Sequence, residues 1–161
     1  MEDSVPYELM WPTAGDNPGI DNIWKDERVP FQTPKPVKRF EIEIKHQDCI
    51  LHRFDFSKLC CYSENCGSPR IEVEFDYQKE DDKHPKKEFR KVHKVEKTGL
   101  FIEGPKMEEV KKVTLTERKV TNRIKIILSS DEEKVLGLYY FKIYSPDVNH
   151  RRIKKEYLLE R

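Results

Sequence analysis

The amino-acid sequence predicts an all-β chain, a single-domain β-sandwich or jelly roll of about eight strands with an irregular N-terminal segment and a short C-terminal helix or tail. Three observations carry that prediction. Apolar residues recur with a period of two in one segment after another, Gly, Pro or charged turns separate those segments roughly every ten residues, and no heptad, long amphipathic helix or internal repeat competes with them. The 161 residues suffice for one sizeable core and are too few for two. A hydrophobic share of 36% against a charged share of 38%, where roughly 45–50% and about 25% are usual, confines the interior to a few strongly patterned segments.

Residues 1–36 hold six of the ten prolines, together with Gly15, Gly19 and both tryptophans. A fixed proline φ and the missing N–H groups favour ordered loops there over helix or strand. Asp16-Asn17-Pro18-Gly19 is a turn, and Ile20, Ile23 and Trp24 are the apolar residues that seat this segment on the core. The sandwich itself is expected over 37–146, with 147–161 as a basic tail or short helix, one domain in all.

From Val37 onward, Phe40, Ile42 and Ile44 alternate with Arg39, Glu41, Glu43 and Lys45, a strand with one wet face. Ile50, His52, Phe54 and Phe56 form a second alternating set, and Gln47-Asp48 between the two suits a tight antiparallel turn, so a hairpin is expected. Gly67-Ser68-Pro69 opens a third strand, with Ile71, Val73, Phe75 and Tyr77 on one face and an acidic opposite face of Glu72, Glu74 and Asp76 beside Arg70. Residues 78–88 carry no apolar member except Pro85 and read as a solvated loop. Shorter strands follow over 89–95, 100–102, 110–115, 122–128 and 136–144. Asp147 would cap a helix running from His150 to Leu159, with Arg151, Arg152, Lys154 and Lys155 on one basic face; a frayed tail is the other reading.

Charge and hydropathy narrow the function classes. Lys plus Arg number 31 and Asp plus Glu 30, so a net charge of +1 excludes binding to nucleic acid by bulk charge and leaves only a local patch. The longest apolar runs fall far below the roughly 18 residues of a membrane span, and Met1-Glu2-Asp3 does not open a secretory signal. No Asn-x-Ser/Thr acceptor occurs. The expectation is an intracellular protein, cytoplasmic or nuclear, with no membrane partner.

Chemistry could reside in His46-x2-Cys49-x2-His52 followed by Cys60-Cys61-x4-Cys66, because thiolates and imidazoles are the ligands zinc prefers. The spacing speaks against a site. No Cys-x2-Cys pair is present, His46 and Cys49 flank the expected turn, and His52 lies on an apolar strand face. Buried strand thiols and a core histidine are the better reading, with Cys66 the most exposed, so neither metal nor cofactor is expected. Nucleophile-elbow, metalloprotease-helix and dinucleotide motifs are all missing. Gly99 and Gly104 have phosphate-loop spacing, but the strand Leu100-Phe101-Ile102 lies between them and no Ser or Thr follows Lys106. Nothing in the sequence demands an enzyme.

Two regions resemble the galactose-binding-like jelly roll of discoidin and coagulation-factor C domains. One is Asp16-Asn-Pro-Gly-Ile-Asp-Asn-Ile-Trp24 leading into Val37 to Lys45; the other is Val120 to Leu128 followed by Gly137-Leu-Tyr-Tyr-Phe-Lys-Ile-Tyr-Ser-Pro146. The closing Phe-Lys-Ile-Tyr-Ser-Pro is similar to the intracellular members, the DOC domain of the anaphase-promoting complex and the N-terminal domain of the single-strand-break repair scaffold. The terminal disulfide pair of the secreted members is missing.

This resemblance implies binding loops gathered at one end of the barrel, here Asp21, Asn22 and Trp24 with Glu64, Asn65 and Ser68. It also implies a non-catalytic protein-interaction module of an intracellular scaffold or ubiquitin-ligase-type complex, with a protein or peptide partner. The alternative is a nucleic-acid surface of a repair-type scaffold on the patch Lys86, Lys87, Arg90, Lys91, Lys94, Arg151 and Arg152. Protein purified without chelator is expected to carry no stoichiometric zinc by elemental analysis; one zinc per chain would overturn the reading of the cysteines as buried thiols.

Overall fold

The computed structural model describes residues 3–25, 29–60, 69–78, 87–95, 106–107, 111–116 and 119–146. In chain order these form β1 (Asp3–Ser4), β2 (Tyr7–Trp11), α1 (Asn22–Lys25), β3 (Phe31–Gln32), β4 (Val37–Ile50), β5 (Arg53–Cys60), β6 (Arg70–Gln78), β7 (Lys87–Val95), β8 (Lys106–Met107), β9 (Lys111–Thr114), β10 (Val120–Lys134) and β11 (Gly137–Ser145). Eight of the eleven described strands are at least four residues long, and the pairings are antiparallel throughout. One sheet runs β2-β4-β10-β6-β7; the other runs β1-β11-β5-β8, with β3 on β11 and β9 on β5.

The period-two segments account for the two layers. Ile42 and Ile44 on β4, Ile71, Val73 and Phe75 on β6, and Ile124, Ile126 and Leu128 on β10 are all buried, while the residues alternating with them are mostly charged, the buried Ile127 excepted. Phe54 and Phe56 on β5 and Phe141 and Ile143 on β11 meet them from the second sheet. Phe54 joins the layers. Its ring stacks on Phe141 at 5.6 Å and on Phe56 at 6.1 Å, and meets Phe75 of the opposite sheet edge-on at 5.9 Å. Ring pairs at such separations add about 0.5–1.5 kcal/mol each beyond area burial.

The expected hairpin at Gln47-Asp48 is corrected. β4 continues through both residues to Ile50, and the chain turns at Leu51-His52 into the other sheet. Three residues separate Lys45 from Cys49 where only one separates their β10 partners Arg123 and Thr121, which is a bulge. The bulge leaves Gln47 and Asp48 exposed while Cys49 and Leu51 turn back into the core. Polarity at 47–48 thus marks an interruption of pairing, not the end of a strand. The β10 residues opposite the bulge are held by the buried Asp76, whose Oδ1 accepts hydrogen bonds from Thr121 Oγ1, from the Asn122 N–H at 3.0 Å and from the Arg123 N–H at 2.9 Å.

The N-terminal segment is more regular than its proline content implies. Pro6 and Pro12 bracket β2 instead of preventing it, and Tyr7 and Leu9 turn inward from this edge strand against His46 and Ile44. Tyr7 closes that side of the sandwich: its hydroxyl donates to the Phe141 carbonyl of the other sheet, and burial pushes its phenol well above the ordinary 10.0. Nearby, Val5 N donates to Ile143 O at 2.9 Å, and Ser145 Oγ to Ile50 O at 2.6 Å. The expected strand over 100–102 and the tail over 147–161 lie outside the described residues.

Asp76→Ala leaves three donors at the bulge without their acceptor and is expected to lower unfolding free energy by about 3 kcal/mol in urea titrations. Thr121→Val should cost only about 1 kcal/mol. Equal losses for the two variants would show that the carboxylate does not organise the bulge.

Candidate functional site

A second bulge lies on the outer strand of the five-stranded sheet. Leu9 pairs with Ile44 and Trp11 with Glu43, so Met10 is the extra residue at the end of β2. The irregularity turns two large apolar side chains toward solvent: Trp11 is 59% exposed and Met10 41%. The Trp11–Pro12 peptide bond is cis, and the chain then enters a turn with its own hydrogen bonds. Thr13 Oγ1 donates to Asp16 Oδ2 at 2.6 Å, Asn17 Nδ2 to Thr13 O at 3.0 Å, and Asn17 N to Ala14 O at 3.2 Å. Gly19 follows at φ +84°, in the left-handed region where a side chain would be strained. What results is a flat aromatic face on an edge strand, backed by a self-bonded loop. Such a surface can stack on an apolar or ring-shaped group.

The residues expected to contact a partner are distributed differently. Asp21 pairs with Lys25 at 2.6 Å along the single turn of α1, and Asn22 Nδ2 donates to Pro30 O at 3.3 Å. Trp24 is half-buried against the core, its ring edge-on to Tyr7 at 5.7 Å. Glu64, Asn65 and Ser68 lie outside the described residues. Trp11 went unremarked in the sequence because a tryptophan before a proline in a Pro-rich segment carries no alternation to show which way it faces.

The basic patch meets a counter-pattern. On the outer face of the five-stranded sheet, register places Lys125 between Glu43 and Glu74, with Lys91 beyond Glu74. Glu72 stands 3.5 Å from Lys91 Nζ and 3.7 Å from Lys94 Nζ. Arg39 donates to Glu41 Oε1 through Nε at 3.1 Å and Nη2 at 2.6 Å; that bond, with Glu72 and Glu74 in range, raises the guanidinium further above its usual value. The acidic face of β6 and the basic residues of β7 therefore neutralise one another in rows. Lys86, Arg151, Arg152 and the side chain of Lys87 lie outside the described residues. Arg90 is set apart from the rows, opposite Phe75 on the inward face.

Cys49 is fully buried, its Sγ 3.7 Å from His46 Nδ1, and that nitrogen lies 2.8 Å from Gln47 O. Among the described residues no group of three His, Cys, Asp or Glu side chains is placed to hold a metal ion, and no helix is long and apolar enough to cross a membrane. Cys61, Cys66 and the side chain of Cys60 lie outside the described residues.

Solved structures of similar shape include the family 32 CBM (carbohydrate-binding module) of NanJ from Clostridium perfringens in complex with galactose. It has a TM-score of 0.56 and 11% identity, over 90% of this chain and 100% of that one. Chitosan-binding module 1 of a chitosanase/glucanase from Paenibacillus sp. IK-5 gives a TM-score of 0.55 and 11% identity, over 88% and 95% of the two chains. A GH29 fucosidase of Ruminococcus gnavus in complex with fucose gives a TM-score of 0.51 and 14% identity; the match covers 88% of this chain but 25% of the fucosidase. No family model and no curated protein matches the sequence. At these identities the likeness shows the fold, and the fold is the galactose-binding-like jelly roll.

The two tryptophans should be separable by fluorescence quenching with acrylamide. A Trp24→Phe variant, emitting from Trp11 alone, is expected to be red-shifted and readily quenched, and Trp11→Phe blue-shifted and protected. The reverse order would contradict the exposure of the β2 face.

Proposed function

We propose that this chain is a non-catalytic binding module that docks a protein or peptide partner on the apolar face of Met10 and Trp11. The observation that carries this reading is the 59% exposure of Trp11 on a bulged edge strand beside an internally bonded turn. Large apolar side chains left in water on an ordered scaffold are characteristic of contact surfaces, and Trp and Met are enriched at protein interfaces. A rigid backing lowers the ordering cost of association. The methionine favours a protein surface over a sugar, because a sugar site surrounds its stacking ring with converging hydrogen-bond groups, whereas Thr13 and Asp16 here bond to each other.

The setting that accompanies this reading is an intracellular scaffold or ubiquitin-ligase-type complex. It is supported by the likeness of Phe141-Lys-Ile-Tyr-Ser-Pro146 to the intracellular jelly rolls. Reading the chain as a module and not an enzyme also agrees with the neighbours being CBM32 and chitosan-binding modules.

The test is affinity capture on immobilised protein, with calorimetric titration of galactose and chitosan oligomers alongside. Trp11→Ala should abolish capture of a defined protein partner while changing stability by less than about 0.5 kcal/mol. Saturable sugar binding that Trp11→Ala removes would replace the protein partner with a carbohydrate.

A further inference from the structure

The two sides of the sandwich are finished differently. On the β2 side, the Tyr7 hydroxyl ties the sheets together, and β1 and β3 cover the outer edge of β11. On the other side, β7 pairs only with β6 and β9 only with β5, so among the described residues two strand edges have no strand partner. Between them is a cleft of about 240 Å³, lined by Tyr77, Arg90, Lys91, Val92, Thr114, Leu115 and Thr116. Among the described residues no carboxylate lines it, and Arg90 turns a cation toward it.

Arg90 has no hydrogen-bond or ion-pair partner among the described residues, whereas Lys91 is drawn to Glu72. Its orientation follows from register. Arg90 stands opposite the buried Phe75 and so points to the inward side of β7, and Val92 is the extra residue of a bulge between Val73 and Glu74 that turns this edge. Lys111, exposed and opposite the inward Phe56, extends the positive charge along β9.

We propose that this cleft is a second docking site, independent of the Trp11 face, for an extended acidic peptide. Arg90 takes one of the peptide's carboxylates, and Tyr77, Val92 and Leu115 receive an apolar side chain beside it. An open strand edge supplies backbone donors and acceptors that an extended chain can satisfy, which is how β-addition gives affinity, while alternate side-chain pockets give selectivity. A guanidinium on the inward side of an edge strand suits a carboxylate. Nucleic acid fits less well, since a phosphate track needs a run of available cations and Lys91 and Lys94 already face Glu72. The cleft and Trp11 occupy opposite edges of one sheet, about 19 Å apart across four strand spacings.

Fluorescence anisotropy with a fluorescein-labelled octapeptide of alternating Glu and Val tests the proposal on the full chain. Saturable binding is expected, weakened at least about tenfold by Arg90→Gln and by raised salt, and unchanged by Trp11→Ala. Thr116→Glu, which sets a carboxylate at the exposed rim, should weaken it also, and decides the matter if Arg90→Gln melts early. Amide shifts on titration should fall on β7 and β9. The proposal is overturned if the octapeptide shows no saturable binding, if both variants bind as the parent does, or if an oligothymidylate binds in an Arg90-dependent way and the peptide does not.

Discussion

The packing of Phe54 against Phe75 is the contact on which the rest of the molecule depends. These rings belong to different sheets, and their edge-on approach at 5.9 Å sets how closely the layers lie. For Phe54 to reach that position, β5 must leave the sheet that contains β4, and the chain must turn at Leu51-His52. From that crossing follow the bulge at 46–48 and the role of Asp76 in holding the β10 residues opposite it. A core built from two faces also explains how a chain with 36% hydrophobic residues buries enough of them: nearly every inward position on the long strands is Phe, Ile, Leu or Val.

Among the described residues the sandwich is closed on one side and open on the other, and both surfaces with functional promise follow from that asymmetry. On the closed side, Tyr7 reaches the Phe141 carbonyl and Trp24 packs edge-on to Tyr7, so the preceding and following loops are pinned and Trp11 is displayed from a fixed base. On the open side nothing comparable ties β7 to β9 among the described residues, and the gap is lined by an inward-turned arginine. A single architectural difference thus yields an apolar face at one edge and a cationic cleft at the other.

Much of this was legible in the sequence because alternation reports burial directly. Ile42 and Ile44, Ile71 to Phe75, and Ile124 to Leu128 each announce a strand and the face it buries, and the closing Phe141-Lys-Ile-Tyr-Ser-Pro146 points to the jelly roll. The failures share a cause. A bulge shifts the phase of alternation, so Gln47-Asp48 imitates a turn when it is an unpaired step in a continuing strand, and Met10-Trp11 gives no sign that both side chains face outward. Partnership across strands is equally hidden, since Glu72 and Lys94 are far apart in sequence and neighbours only after the register is set.

The rows of opposite charge on the outer sheet face have a consequence for how the molecule meets its surroundings. Lys125 has a carboxylate column on each flank, so the face is a multipole whose potential decays within a short distance of the surface. Polyelectrolytes drifting past would feel little pull toward it. Reversing any one charge in a central column would create two like-sign neighbours at once, a penalty that holds the broad face passive and leaves molecular encounters to the sheet's margins.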